Sequence, residues 1–232
     1  MKWPSVVILS LLASVVPIST VQATHSVPQP YIWFWDLGND GTPDGAPAVD
    51  AAGSGWTTGA VDRLKGAIGA WANGTSFNPH YVDPGSFKVY RDGTGPACNS
   101  GVFNPGDYAG TCVYATLRHL PGAPPDEYYH DISSAATYAQ TDANLPGSVV
   151  RYWYGSGQSP YSGDLDFQGI MTHELGHWIR LADLGPDYGL DCNYGSGIYT
   201  MCGELQDPGY HDQSYWQRTL TSDDVNAANV VY

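Results

Sequence analysis

The sequence predicts an α+β domain, because short runs rich in aromatic and β-branched residues are interspersed with segments whose apolar residues recur at helical spacing. Tyr31 to Leu37 (YIWFWDL) reads as the first strand, and Asn39 to Gly55 reads as a loop of Gly, Asp and Pro. From Thr58 a helix is expected, with Val61, Leu64, Ile68 and Trp71 on one apolar face and an end at Asn73-Gly74. Phe87 to Arg91, Val113 to Leu117, Ala135 to Gln140 and Val149 to Tyr154 follow as short strands, separated by loops containing Pro and Gly. Gly163 to Asp183 returns to a helical period, with Phe167, Met171, Leu175 and Trp178 forming one buried stripe.

Residues 1–23 have the pattern of a signal peptide: Lys2, an apolar stretch from Val6 to Val16, and a small-residue site at Val21-Gln22-Ala23. The stretch is short of the ~20 residues that a membrane span needs, so a soluble, secreted chain beginning near Thr24 is expected, with no membrane contact after cleavage. Residues 24–232 suit one catalytic domain. The net charge of −14 repels phosphate backbones, which argues against nucleic acid as a partner. Four cysteines in an exported chain are expected to be bridged, and the sequential pairing Cys98 with Cys112 and Cys192 with Cys202 closes two short loops. No CxxC pair occurs, so cysteine is left out of any metal site.

The chemistry concentrates in His173-Glu174-Leu175-Gly176-His177. Two histidines four apart stand one turn above each other on a helix, and their imidazoles can converge on one ion. The glutamate between them sits near that ion without binding it, where it can accept a proton from a bound water. With only 7 His in 232 residues and Glu at positions 127, 174 and 204 alone, a chance HExxH is expected in roughly three of a thousand such chains.

Downstream, Asp183 lies six residues after His177, and Met201 stands in Tyr199-Thr200-Met201-Cys202-Gly203. This combination resembles the extended HExxHxxGxxH motif of the metzincins, in its variant ending in Asp, followed by their Met-turn. Within that clan the chain is similar to secreted matrixin-like and snapalysin-like peptidases. Val61-Asp62, Ala67-Ile68 and Trp71 resemble the first matrixin helix, Tyr138 to Asp142 resembles the edge-strand region of snapalysin, and Leu220 to Val225 resembles the closing helix, with Thr221 or Ser222 as N-cap. The resemblance implies a zincin-like fold: a twisted, mixed five-stranded sheet, about three helices, and a zinc cleft between two subdomains. It implies a zinc endopeptidase with His173, His177 and Asp183 as metal ligands and Glu174 as catalytic base. It also implies that an extended substrate pairs with an edge strand, placed within Ile132 to Gln140.

The sequence departs from the motif at Arg180, where the clan has glycine. A non-glycine residue takes the left-handed conformation needed there at a cost of about 1 to 2 kcal/mol, and Arg180 could pair with Asp183. Asp187, Asp191 and Glu204 therefore stand as alternative third ligands. Asp36, Asn39, Asp40 and Asp44 are candidates for Ca2+, although such a loop is more often a turn. His119, His130 and His211 are isolated and read as structural. The expected assembly is a monomer acting on protein or peptide substrate. The competing reading is an inactive zincin-like scaffold or a carbohydrate-binding protein using Trp153, Tyr154 and Tyr161.

Overall fold

The long hydrophobic residues divide the chain between a curled sheet and the helices laid against it. The computed structural model describes residues 32–52, 56–91, 108–124, 127–140, 145, 151–155, 159–161, 163–184, 192–194, 197–203 and 210–232. The expected signal peptide, Cys98, Asp187, Asp191 and Glu204 lie outside these residues. In chain order the elements are β1 (Ile32–Phe34), β2 (Ala48–Ala52), α1 (Thr58–Gly74), β3 (His80–Tyr81), β4 (Phe87–Arg91), β5 (Ala109–His119), β6 (Tyr128–Ala139) and β7 (Arg151–Trp153). They continue with β8 (Asp164–Asp166), α2 (Phe167–His177), β9 (Asn193–Tyr194), β10 (Gly197–Ile198), α3 (Tyr210–Trp216) and α4 (Ser222–Val231).

The main sheet has six strands. Its path is β1-β6-β4-β2-β3, all parallel, and β5 lies antiparallel on the other side of β6. The long β6 pairs through its first half with β1 and through its second half with β4, so β1 and β4 share one of its sides. Most of β6 is buried, and it is paired on both edges. Parallel pairing with helices between the strands gives mixed α/β character, and among the described residues the main sheet has six strands and the chain four helices, in place of the expected five and about three.

Several expectations about single elements change. The expected edge strand, Ile132 to Gln140, is the interior of β6, where Ala136 pairs with both Lys88 and Cys112. Among the described residues, β5 is the strand on the outer side of β6 that pairs with β6 alone. Within Asn39 to Gly55 the chain forms β2, whose AVDAA sequence is too small and too acidic to signal a strand. Val149 to Tyr154 contributes β7, which pairs with β8 apart from the main sheet. At the C-terminal end, α4 begins with a reciprocal capping box between Thr221 and Asp224.

The core lies between the sheet and helices α1 and α2. Leu64, Ile68 and Trp71 from α1 meet Phe167, Met171, Leu175 and Trp178, the stripe anticipated from periodicity. Three buried indoles anchor α2. Trp71 Nε1 donates to the Thr172 carbonyl at 2.8 Å, Trp35 Nε1 to the Trp178 carbonyl at 3.1 Å, and Trp178 Nε1 to Thr137 Oγ1 at 2.9 Å. Each buried N–H thus has an acceptor, avoiding the penalty of about 1 to 3 kcal/mol for an unsatisfied donor.

Candidate metal centre

The position of α2 is fixed at its start by Asp166. Its carboxylate caps the helix by accepting from Gly169 N at 2.9 Å, and it takes two guanidinium bonds from Arg218 at 2.7 and 2.5 Å. Gly169 permits the close approach of α3, because a Cβ there would lie 1.6 Å from the Ser214 carbonyl oxygen. These contacts join the helix of His173 and His177 to the chain that follows it.

At the other end, Arg180 adopts φ +64°. Arg180 N donates to the His177 carbonyl at 2.9 Å and Leu181 N to the Gly176 carbonyl at 3.2 Å, the paired closing bonds of a Schellman motif. The turn forms without glycine. The guanidinium lies 4.4 Å from the centroid of the Trp33 ring and makes no ion pair with Asp183 among the described residues. A cation–π contact of about 0.5 to 2 kcal/mol is of the same size as the left-handed strain, so the two offset each other.

This turn carries the Leu181 carbonyl behind His177, whose Nδ1 lies 2.7 Å from it. His173 Nδ1 lies 2.9 Å from the Thr200 carbonyl. Because a carbonyl only accepts, both Nδ1 atoms donate to it, which leaves both Nε2 atoms facing the site. Those two Nε2 atoms are 3.2 Å apart, and Asp183 Oδ1 lies 3.0 Å from His173 Nε2 and 3.3 Å from His177 Nε2. Asp183 Oδ1 is buried and has no hydrogen-bond partner.

Three electron-rich atoms converging in this way repel one another unless a cation or protons lie between them. A tetrahedral zinc with bonds of about 2.0 to 2.1 Å sets its ligand atoms about 3.3 Å apart, which fits these separations. Without a metal, protons take its place. Burial pushes His177 down, but the adjacent Asp183 carboxylate, the Glu174 charge and the Leu181 carbonyl override this and raise it to about 9. Burial pushes Asp183 up, yet the two imidazoles hold its carboxyl well below the usual carboxylate range. Among the described residues, His173, His177 and Asp183 are the group whose donor atoms could hold a metal ion.

The floor of the site is the loop around Met201. A Cβ on Gly176 would lie 2.3 Å from Met201 Sδ, so the glycine inside the HExxH helix lets the methionine pack beneath the ligands. Leu184 N donates to the Met201 carbonyl at 2.7 Å and Gly203 N to the Leu184 carbonyl at 2.9 Å, stitching the residue after Asp183 to this loop. Cys192 and Cys202 are joined by a disulfide with an S–S distance of 2.07 Å, as the sequential pairing anticipated. Cys112 is also disulfide-bonded. Gln217, unremarked in the sequence, donates from Nε2 to the Cys202 carbonyl at 2.7 Å and lies 3.5 Å from His173 Nδ1.

Glu174 is buried beside this group, and Thr111 Oγ1 donates to its Oε2 at 2.6 Å. The other candidates lie elsewhere. Asp36 accepts from Asp40 N, Gly41 N and Tyr129 Oη, while Asp44 accepts from Gly38 N and Asp40 from Thr42. His119 lies against the Pro124 carbonyl, His130 stacks on Trp33, and His211 packs between Trp153 and Tyr215. Tyr154 packs on Phe167, whereas Tyr161 is exposed under Arg151, so these aromatics do not make one flat platform. No protein-family model matches this chain, and no curated protein matches its sequence.

Proposed function

We propose that the chain is a zinc-dependent peptidase of metzincin-like type, acting outside the cell as a monomer on peptide or protein substrates. The observation that carries this reading is the convergence of His173 Nε2, His177 Nε2 and Asp183 Oδ1 at 3.0 to 3.3 Å, with both Nδ1 protons committed to carbonyls. Three protein ligands with an open fourth position are the pattern of catalytic rather than structural zinc. Export is supported by the leader-like residues 1–23 and by the disulfide. Among the described residues no helix is long and apolar enough to cross a membrane.

When bound, zinc would lower the pKa of a water and polarise the scissile carbonyl. The residues of the chain do the remaining work. His173, His177 and Asp183 hold the ion, and their carbonyl partners keep the imidazoles oriented. Glu174 takes a proton from the attacking water and returns it to the leaving amine. The exposed side of β5 offers backbone N–H and C=O groups to an extended peptide, next to the glutamate that Thr111 of the same strand contacts. This replaces the earlier placement of the substrate on Ile132 to Gln140.

The test is cleavage of a denatured protein by the purified chain. Hydrolysis should stop with a chelator, return with zinc, and be absent from zinc-loaded Glu174→Gln. Cleavage that persists after complete metal removal would end this reading.

A further inference from the structure

The buried polar groups around Glu174 form a chain of hydrogen bonds with a fixed direction. Trp178 Nε1 can only donate, and it donates to Thr137 Oγ1 at 2.9 Å. Thr137 Oγ1 lies 2.8 Å from Thr111 Oγ1, its partner across the β5–β6 pair. Thr111 Oγ1 in turn lies 2.6 Å from Glu174 Oε2, with the carbonyl of Glu174 as a second acceptor at 3.2 Å. The carboxylate only accepts, so the Thr111 proton points to Glu174 and the Thr137 proton to Thr111. Both hydroxyls then accept one bond and donate one. The relay closes without an orphan, although Thr137 and Glu174 are buried.

We infer that Thr111 is a positioning residue for the general base, holding Glu174 Oε2 so that Oε1 is the oxygen that exchanges the proton. The inference rests on the peptidase reading for the role of Glu174, but the contact itself does not. The bond has a neutral donor and a charged acceptor, which makes it about twice as strong as a neutral pair. It fixes a carboxylate carried on α2 between His173 and His177. It also crosses from the helix to the strand whose free edge would carry substrate. Docking of a peptide on β5 and orientation of the base are thereby coupled through one side chain.

Thr111→Val removes the hydroxyl at nearly constant volume, and Thr111→Ser restores it. In the purified chain loaded with zinc, Thr111→Val should lower kcat by about ten- to a hundredfold, the scale of a lost hydrogen bond to a charged group. KM should stay within about twofold and metal content near one zinc per chain, while Thr111→Ser recovers most of the loss. A kcat unchanged in Thr111→Val, or a loss that serine does not restore, overturns the inference.

A second measurement needs no activity. Urea midpoints are compared for Thr111→Val in the native background and in Glu174→Ala. The shift should be large in the first and less than half as large in the second, and equal shifts overturn the contact. A native chain that cleaves no peptide would remove the proposed function, while these midpoints still decide whether Thr111 holds Glu174.

Discussion

Two groups of aspartates in this protein look alike in composition and differ in what faces them. In the loop after β1, the carboxylates of Asp36, Asp40 and Asp44 accept hydrogen bonds from backbone N–H groups of their own loop, and Asp36 also from Tyr129. These bonds hold Asp36 below its usual range, although burial alone would push it up. At Asp183 the neighbours of Oδ1 are the Nε2 atoms of His173 and His177, at 3.0 and 3.3 Å, and not the backbone of its own loop. A carboxylate surrounded by donors is a finished turn. A carboxylate that meets two imidazole Nε2 atoms belongs to a group that could hold a metal ion.

The largest test of this contrast removes a ligand. His177→Ala should abolish tight zinc binding, and Asp183→Ala should weaken it by about a hundredfold or more, beyond the ten- to hundredfold typical of residues that only orient ligands. Isothermal titration with zinc reads both, and near-native affinity in Asp183→Ala would move the third ligand elsewhere. Glu174→Gln sharpens the picture further. It should keep its zinc while losing about 10²-fold or more in kcat, since it acts on protons and not on the ion.

A smaller effect is expected at the other aspartates. Asp36→Ala orphans two backbone N–H groups and a buried tyrosine, so it should cost about 2 to 3 kcal/mol in a denaturant titration. Its zinc affinity should be unchanged, and millimolar calcium should leave the native melting temperature where it is. A calcium-dependent rise lost in Asp36→Ala would break the distinction drawn above.

The least effect is a pH dependence. His177 in the metal-free chain is raised from 6.5 to about 9, chiefly through the Asp183 carboxylate that overcomes its burial. The resulting stabilisation is complete below about pH 6.5 and disappears as pH rises through about 9. Melting temperatures of the metal-free chain should therefore fall across this interval. The fall should be smaller in Asp183→Asn, where its cause is gone, and smaller in the zinc-loaded chain, where the ion replaces the proton.

The metal centre was legible because its geometry is local. His173 and His177 are one helical turn apart, which spacing alone brings together, whereas Asp183 stood beside Asp187, Asp191 and Glu204 as a candidate and reaches the histidines through the turn at Arg180. The Met201 loop and the Cys192–Cys202 bridge were legible for a similar reason. Thr111 and Thr137 were not, because their meeting with Glu174 depends on the register of two strands and on a helix far along the chain. The same dependence hid which strand forms the edge. Ala135 to Gln140 has the stronger strand composition, yet among the described residues β5 is the one with no strand on its outer side. Arg180 was legible as a departure from the motif. What the sequence did not reveal is that Trp33, almost 150 residues earlier, would lie under its guanidinium.

The backbone bonds between Leu184 and the residues on either side of Cys202 have a consequence for how the lower half of the site can open. Leu184 directly follows Asp183, and it is bonded through both its N–H and its C=O to Met201 and Gly203. Thr200, one residue earlier, holds the His173 ring. Breathing of this loop cannot free the methionine while leaving the ligands in place. Sub-global opening here, release of Asp183 and loosening of His173 form one cooperative event, so exchange of the Leu184 amide with solvent should keep time with the parting of the three candidate ligands.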